Sequence, residues 1–236
     1  MTWLQSSEFC KAMENRNLIA ILPSAGNSDY GNWPDYGRGY DFPRFFFDEL
    51  MPFIYNSFPV SSKRVDNYIA GQSMGGYGAT YLGFLHPEKF AGIAAYGSSL
   101  RESTFLKSYI GKSTTVFRND ALAHPTSFPT EYGPIEYGIK RKEVNVICKY
   151  NTVNDFLDSG ECMWNRLPDV IASGLLPSIY IACGTNDQFY ETTVHFNNVL
   201  TDSGITDCKF VYGEGIGHDE VFMNEQFSES LVWFGL

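Results

Sequence analysis

The hexapeptide Gly71-Gln72-Ser73-Met74-Gly75-Gly76 constrains this chain more than any other stretch. Alone, G-x-S-x-G is a weak signal: a chain of this composition supplies about 0.17 matches by chance, so the flanks must decide. Here they agree. The apolar Tyr68-Ile69-Ala70 precedes the motif and the helix-forming Tyr77–Leu82 follows it. A strand that turns at once into a helix holds the intervening serine in a strained conformation. Gly71 and Gly75 flank it because a Cβ at either position would collide with the neighbouring strand or helix. The serine hydroxyl is then lifted above the carboxyl edge of a sheet, at a helix N-terminus where partial positive charge favours an anion. The bland alternative is a glycine-rich packing turn.

The rest of the chain fits a sheet that could carry such a turn. Short apolar runs at Asn17–Pro23, Val65–Ala70, Ala91–Gly97, Ser178–Gly184 and Lys209–Gly213 read as fully buried strands. Helical segments are expected between them. One is capped by Asp41, begins near Pro43 and turns Phe46, Phe47, Leu50 and Ile54 inward, with Pro52 kinking or shortening it. Others run over about Met74–Leu85, about Glu191–Asp202 (ending at Ser203-Gly204) and about Asp219–Trp233. Strands alternating with helices predict an α/β fold with a mostly parallel sheet. The 236 residues are read as one domain, 1–236. Two stretches break the rhythm. Tyr30–Tyr40 reads as a loop, and 98–165 as a cap-like or lid-like insertion. The insertion's Phe117, Phe128, Tyr132 and Tyr137 either cover the core or line a pocket.

Charge and composition remove several classes of function. The net charge is −10 with no Lys/Arg block, which argues against a nucleic-acid partner. The longest aliphatic stretch, Leu18–Leu22, is far short of the roughly 20 residues of a membrane span. No secretory signal opens the sequence. Five cysteines without a C-x-x-C pair suggest neither a zinc site nor a dithiol motif. They read as reduced thiols of a cytoplasmic protein, with a Cys148–Cys162 disulfide as the alternative if the chain is exported.

A serine hydroxyl needs a base to become a nucleophile. Of the four histidines, His86 closes a helix before Pro87, His124 lies in the insertion, and His195 falls within a helix. His218 sits in Gly213–Asp219, a flexible loop between an apolar strand and the last helix, and can swing over the serine. The imidazole in turn needs a carboxylate. Asp187 lies just past the carboxyl end of a buried strand, where such folds gather their sites. Its bland reading is a helix cap. Asp219, adjacent to the histidine, is the weaker candidate because neighbouring side chains diverge.

Gly71–Gly78 (GQSMGGYG), Ile181–Asp187 (IACGTND) and Gly217-His218-Asp219 resemble the tributyrin esterase and esterase D branch of the α/β-hydrolase superfamily. Cinnamoyl and feruloyl esterases and S-formylglutathione hydrolases belong to the same wider group. The resemblance runs from about Trp3 to Phe234 and is weakest across Arg101–Tyr150. It implies an α/β-hydrolase fold and the triad Ser73, Asp187 and His218, in the nucleophile–acid–base order of that superfamily. It also implies the Met74 backbone N–H as one oxyanion donor. The expected activity is that of a serine carboxylesterase acting on small or sugar-linked acyl esters, without metal or organic cofactor. The alternatives are an S-formylglutathione hydrolase-type thioesterase and a catalytically impaired esterase-like protein. Homo-oligomers are compatible with this reading.

The sequence departs from the family in one respect. The resemblance implies a strand ending in a His-Gly loop upstream of the tryptophan that Trp3 matches, and this loop supplies the other oxyanion donor. No His-Gly dipeptide occurs here. The chain is therefore expected to be an N-terminally shortened version of the fold, either weakly stable by itself or a fragment.

Overall fold

The computed structural model describes residues 3, 6–26, 28–33, 40–101, 110–113 and 146–236. His124, Phe117, Phe128, Tyr132, Tyr137 and the side chain of Cys148 lie outside this set. In chain order the elements used below are α1 (Ser7–Met13), β1 (Asn32–Trp33), β2 (Tyr40–Asp41), α2 (Phe42–Arg44), α3 (Met51–Ser57), β3 (Tyr68–Gln72), α4 (Met74–Leu85), β4 (Gly92–Tyr96), α5 (Val153–Leu157), α6 (Leu167–Ala172), β5 (Ser178–Gly184), α7 (Tyr190–Asp202), β6 (Cys208–Gly213) and α8 (Glu220–Phe234). They fall into two compact units. One comprises Met1–Ile21, Ser61–Phe105 and Arg166–Leu236, the other Leu22–Val60 and Leu106–Asn165.

The first unit is built on a four-stranded sheet of order β3-β4-β5-β6. All three pairings are parallel, as strands joined by helical crossovers must be. The central strands are apolar along their whole length because both faces are covered. Ala94, Tyr96, Tyr180 and Ala182 pack with Phe9 and Ala12 of α1 and with Phe222, Met223, Phe227 and Leu231 of α8. On the opposite face, Phe196 of α7 meets Phe84 of α4 and Phe210 of β6. Two polar groups on the first face are matched to each other: the Tyr96 and Ser230 hydroxyls lie 2.7 Å apart. Helix α8 starts where expected, capped by Asp219, and ends at Gly235 in the left-handed conformation.

The expected strand at Asn17–Pro23 is not formed. Its apolar composition suits a strand, but a strand exists only as half of a ladder, and no partner lies beside it among the described residues. Leu18 packs against the core, whereas Ile19 is 48% exposed and Ile21 38%. Among the described residues, strand β3 likewise has a hydrogen-bonded neighbour, β4, on one side only. The expected strand at Val65–Ala70 starts later, at Tyr68, because Arg64–Asp66 form a 3₁₀ turn that exposes Val65.

In the second unit, the stretch read as a loop at Tyr30–Tyr40 begins and ends in a short antiparallel ladder that pairs Asn32 with Asp41 and Trp33 with Tyr40. Asp41 caps the following helix, its Oδ1 accepting the Arg44 N–H at 3.0 Å. That helix does not stop at Pro52. Phe45–Leu50 form a π-helical turn, closed by the Met51 N–H on the Phe46 carbonyl, and Pro52 then opens α3. A proline at a helix start sacrifices no hydrogen bond. Phe46, Phe47, Leu50 and Ile54 are only half-buried in the outcome. Glu161 is the hub of this unit. It accepts from Lys149 Nζ at 2.5 Å, the Tyr150 hydroxyl at 2.8 Å and the Asn32 N–H at 3.3 Å. Cys162 is buried in this unit.

Candidate active site

Ser73 stands at the junction of β3 and α4 with φ 53° and ψ −118°, a conformation that L-residues rarely adopt. The chain can hold it there because the turn is closed on both sides. The Ser73 N–H donates to the Tyr96 carbonyl of β4 at 2.8 Å. A Cβ on Gly71 would stand 2.0 Å from the Gly75 carbonyl oxygen, so β3 and α4 approach only because Gly71 has none. Met74 is the first residue of α4. Its N–H, the first of the helix, has no carbonyl one turn before it within the helix to bond.

The other two candidates meet through their loops. Strands β5 and β6 pair up to Gly184 and Gly213. Beyond that pair the backbones continue to bond: the Thr185 N–H donates to the Gly213 carbonyl at 2.9 Å and the Asn186 N–H to the Ile216 carbonyl at 2.8 Å. Side chains add to the seam. Thr185 Oγ1 accepts the Gly215 N–H at 2.8 Å, and Asn186 Nδ2 donates to the Gly215 carbonyl at 3.0 Å. A Cβ on Gly184 would fall 2.1 Å from the Ile216 carbonyl oxygen. Two loops 30 residues apart in sequence are thus held as one ledge, with Asp187 on one side and His218 on the other.

The three side chains form one hydrogen-bonded chain. His218 Nδ1 lies 2.7 Å from Asp187 Oδ2, and His218 Nε2 lies 2.9 Å from Ser73 Oγ. With Asp187 accepting the Nδ1 proton, Nε2 is left with its lone pair facing the serine hydroxyl. The Asp187 side chain is fully buried, and the imidazole is 35% exposed, open to an incoming molecule. The ring of Phe189 meets the imidazole edge-on at 5.6 Å. Asp187 is not the cap of α7, which starts from Phe189 without a side-chain cap bond; its Oδ1 instead accepts the Phe189 N–H at 3.0 Å in the turn before the helix, while Oδ2 serves the histidine. Asp219 is occupied elsewhere, its Oδ1 accepting the Phe222 N–H of α8 at 2.8 Å. His86 lies against Glu88 at 2.9 Å, and His195 is an exposed residue of α7. Cys183, behind Asp187, is fully buried, and its thiol is pushed up to about 12, by burial first and by the charge of Asp187 second.

Gly184, Thr185 and Asn186 carry no individual signal in the sequence. Their signal was the turn Gly184-Thr185-Asn186-Asp187 itself, polar and sharp after an apolar strand, but the partner loop it grips could not be read from it.

A strained serine at a strand–helix turn, on the carboxyl edge of a parallel sheet covered on both faces, defines an α/β hydrolase. The comparisons narrow the class. Residues 11–232 match the model of the Esterase family, described as "Putative esterase", and the chain belongs to that family. It is a carboxylic ester hydrolase. An acetyl esterase of Caldicellulosiruptor saccharolyticus is 28% identical over 235 residues, covering 99% of this chain and 77% of that protein. Among solved structures, the S-formylglutathione hydrolase FrmB of Staphylococcus aureus superposes with a TM-score of 0.72 at 20% identity, covering 99% of this chain and 78% of its own. FphF, a fluorophosphonate-binding serine hydrolase of the same organism, gives 0.63 at 21% identity, covering 90% and 69%. Among the described residues, no helix is long and apolar enough to cross a membrane.

Proposed function

We propose that the chain hydrolyses short-chain acyl esters through Ser73, His218 and Asp187 by way of an acyl-enzyme. The observation that carries this reading is the bridging imidazole, 2.9 Å from Ser73 Oγ and 2.7 Å from Asp187 Oδ2. As Ser73 Oγ attacks the ester carbonyl carbon, its proton passes to His218 Nε2. Asp187 keeps the ring in the tautomer that can take this proton and stabilises the imidazolium that forms. The Met74 N–H, the first of α4, faces the developing oxyanion; one such donor is typically worth on the order of 10²–10³ in rate. The tetrahedral adduct collapses, the bond to the alkoxy oxygen breaks, and that oxygen leaves as the alcohol with the proton from Nε2. Water then attacks the acyl carbon and gives its proton to Nε2. Ser73 departs with that proton, and the carboxylic acid is released.

The relative named an acetyl esterase favours a small acyl group. The test is hydrolysis of p-nitrophenyl acetate by the wild-type chain and by Ser73→Ala. The expected loss in kcat is on the order of 10⁴–10⁶. Unchanged hydrolysis by Ser73→Ala would overturn the assignment of the nucleophile. In a series of acetyl, butyryl and feruloyl esters and S-formylglutathione, the acetyl ester should give the highest kcat/KM. A higher value for the thioester would move the chain to the thioesterase reading.

A further inference from the structure

The residue after β4 touches more of this site than its type suggests. Gly97 has φ +52°, and its N–H donates to the Ala182 carbonyl of β5 at 2.8 Å. Both of its neighbours bear on the serine. The Tyr96 carbonyl accepts the Ser73 N–H, and Ser98 packs so closely on the start of α4 that a Cβ on Gly76 would meet Ser98 Cβ at 2.7 Å. Gly97 itself faces the other half of the site. A Cβ there would stand 3.1 Å from Asp187 Oδ2, 3.2 Å from His218 Cε1 and 2.3 Å from Met223 Cε of α8.

We propose that Gly97 is a positioning residue for the hydrolysis: the space of its absent side chain is where the Asp187–His218 pair is seated, and so sets the distance from His218 to Ser73. This rests on the triad reading above. Ser73 is tied through its own N–H to the Tyr96 carbonyl, so it does not follow when the acid and base are displaced. A methyl group at Gly97 presses on Asp187 Oδ2 and on the imidazole, and neither contact is with the end of a long flexible chain. The pair yields by a few tenths of an ångström, and the shift is taken up in the 2.7 Å and 2.9 Å contacts of His218.

The test compares Gly97→Ala with Gly174→Ala. Gly174 has φ +69° and nothing within 4 Å of its Cβ position, so its substitution brings similar backbone strain without touching the site. With p-nitrophenyl acetate, Gly97→Ala should lower kcat about 10–100-fold, the range a misplaced catalytic group produces, with KM changed less than about threefold. Its labelling by a fluorophosphonate should slow in parallel. Gly174→Ala should show neither effect. Gly97→Ala/Met223→Ala removes the tightest clash and keeps the other two, and carries the test if the single variant does not fold. Measured against Met223→Ala alone, it should still show the loss in kcat. Wild-type kcat in Gly97→Ala, or full recovery in the double variant, would overturn the proposal, the second by reducing Gly97 to a partner of Met223. The triad reading fails separately, on Ser73→Ala that still hydrolyses the ester.

Discussion

The two halves of the site are held by different physics. The serine half is local. Within six residues the chain leaves β3, passes through a strained Ser73 and enters α4, and the absence of a Cβ on Gly71 permits the turn. The acid–base half is assembled from two loops that meet only because β5 and β6 are neighbours, and that are then bonded to each other residue by residue. Strain fixes Ser73, whereas a seam of hydrogen bonds fixes His218. A local device fails all at once, and a seam fails in steps.

That contrast can be broken most severely at the two close approaches. In Gly71→Ala the new methyl would lie 2.0 Å from backbone, and in Gly184→Ala 2.1 Å. Backbone must move in both, at a cost of about 1–3 kcal/mol or more. Melting temperature should fall in each, by about 2–4 °C per kcal/mol. Their residual activities should differ. Gly71→Ala displaces Ser73 and the Met74 N–H together, so hydrolysis should drop to the background of the assay. Gly184→Ala displaces only the base, and should keep the part of the rate enhancement that serine hydrolases retain without an intact triad, on the order of 10³–10⁴ over water. Equal residual rates would show that the oxyanion donor does not travel with the serine half.

Asp187→Asn comes next. It preserves shape and the bond to the Phe189 N–H, but offers the histidine an amide in place of a carboxylate, so the tautomer is no longer fixed. A loss in kcat of about 10³–10⁴, with little change in melting temperature, is expected. A loss under tenfold would remove Asp187 from the acid role.

The same contrast explains what could be read from sequence. The elbow was legible because strand, glycines, serine and helix are consecutive. Strand β5 was legible because Ser178–Gly184 is buried on both faces and therefore apolar throughout. Asp187 and His218 were legible as strand-end residues of the right types, but not the seam between them, because the close approach of Gly184 to Ile216 and the Asn186 bond to its carbonyl exist only after β5 and β6 pair. Asn17–Pro23 misled for the same reason: its composition is that of a strand, and composition does not reveal whether a neighbour is present. The ladder of β1 and β2 is two residues long, too short for any alternation to register. The π-turn before Pro52 left no pattern, since the wider turn preserves the same apolar residues and alters only which carbonyl each N–H reaches.

Smaller effects should come from the seam itself. Thr185→Val and Asn186→Ala each remove one of its side-chain bonds, and such a bond is worth about 0.5–1.5 kcal/mol. Either variant should lower kcat by about 3–10-fold with KM unchanged, and the double variant should lower it further. If each single variant abolished activity, the acid–base half would be as brittle as the elbow, and the distinction between strain and seam would fall.

The smallest effect on catalysis is expected at Asp219, the other carboxylate near the histidine. Its Oδ1 accepts the Phe222 N–H at 2.8 Å, so it supports the first turn of α8. Asp219→Ala leaves that donor unpaired and removes a negative charge from the positive end of the helix. Losing such a cap costs about 0.5–2 kcal/mol, which in a chain of this length lowers the melting temperature by roughly 2–4 °C per kcal/mol. His218 immediately precedes this residue, but its position is set by the bond to Asp187 and by the Gly215 and Ile216 contacts across the seam, none of which uses the Asp219 side chain. Hydrolysis of p-nitrophenyl acetate by Asp219→Ala, measured well below its melting temperature, should therefore stay within about threefold of wild type. Asp219→Asn, which retains an oxygen to cap the helix, should recover most of the lost stability and the same activity. A thousandfold loss in both variants at unchanged melting temperature would transfer the acid role from Asp187 to Asp219.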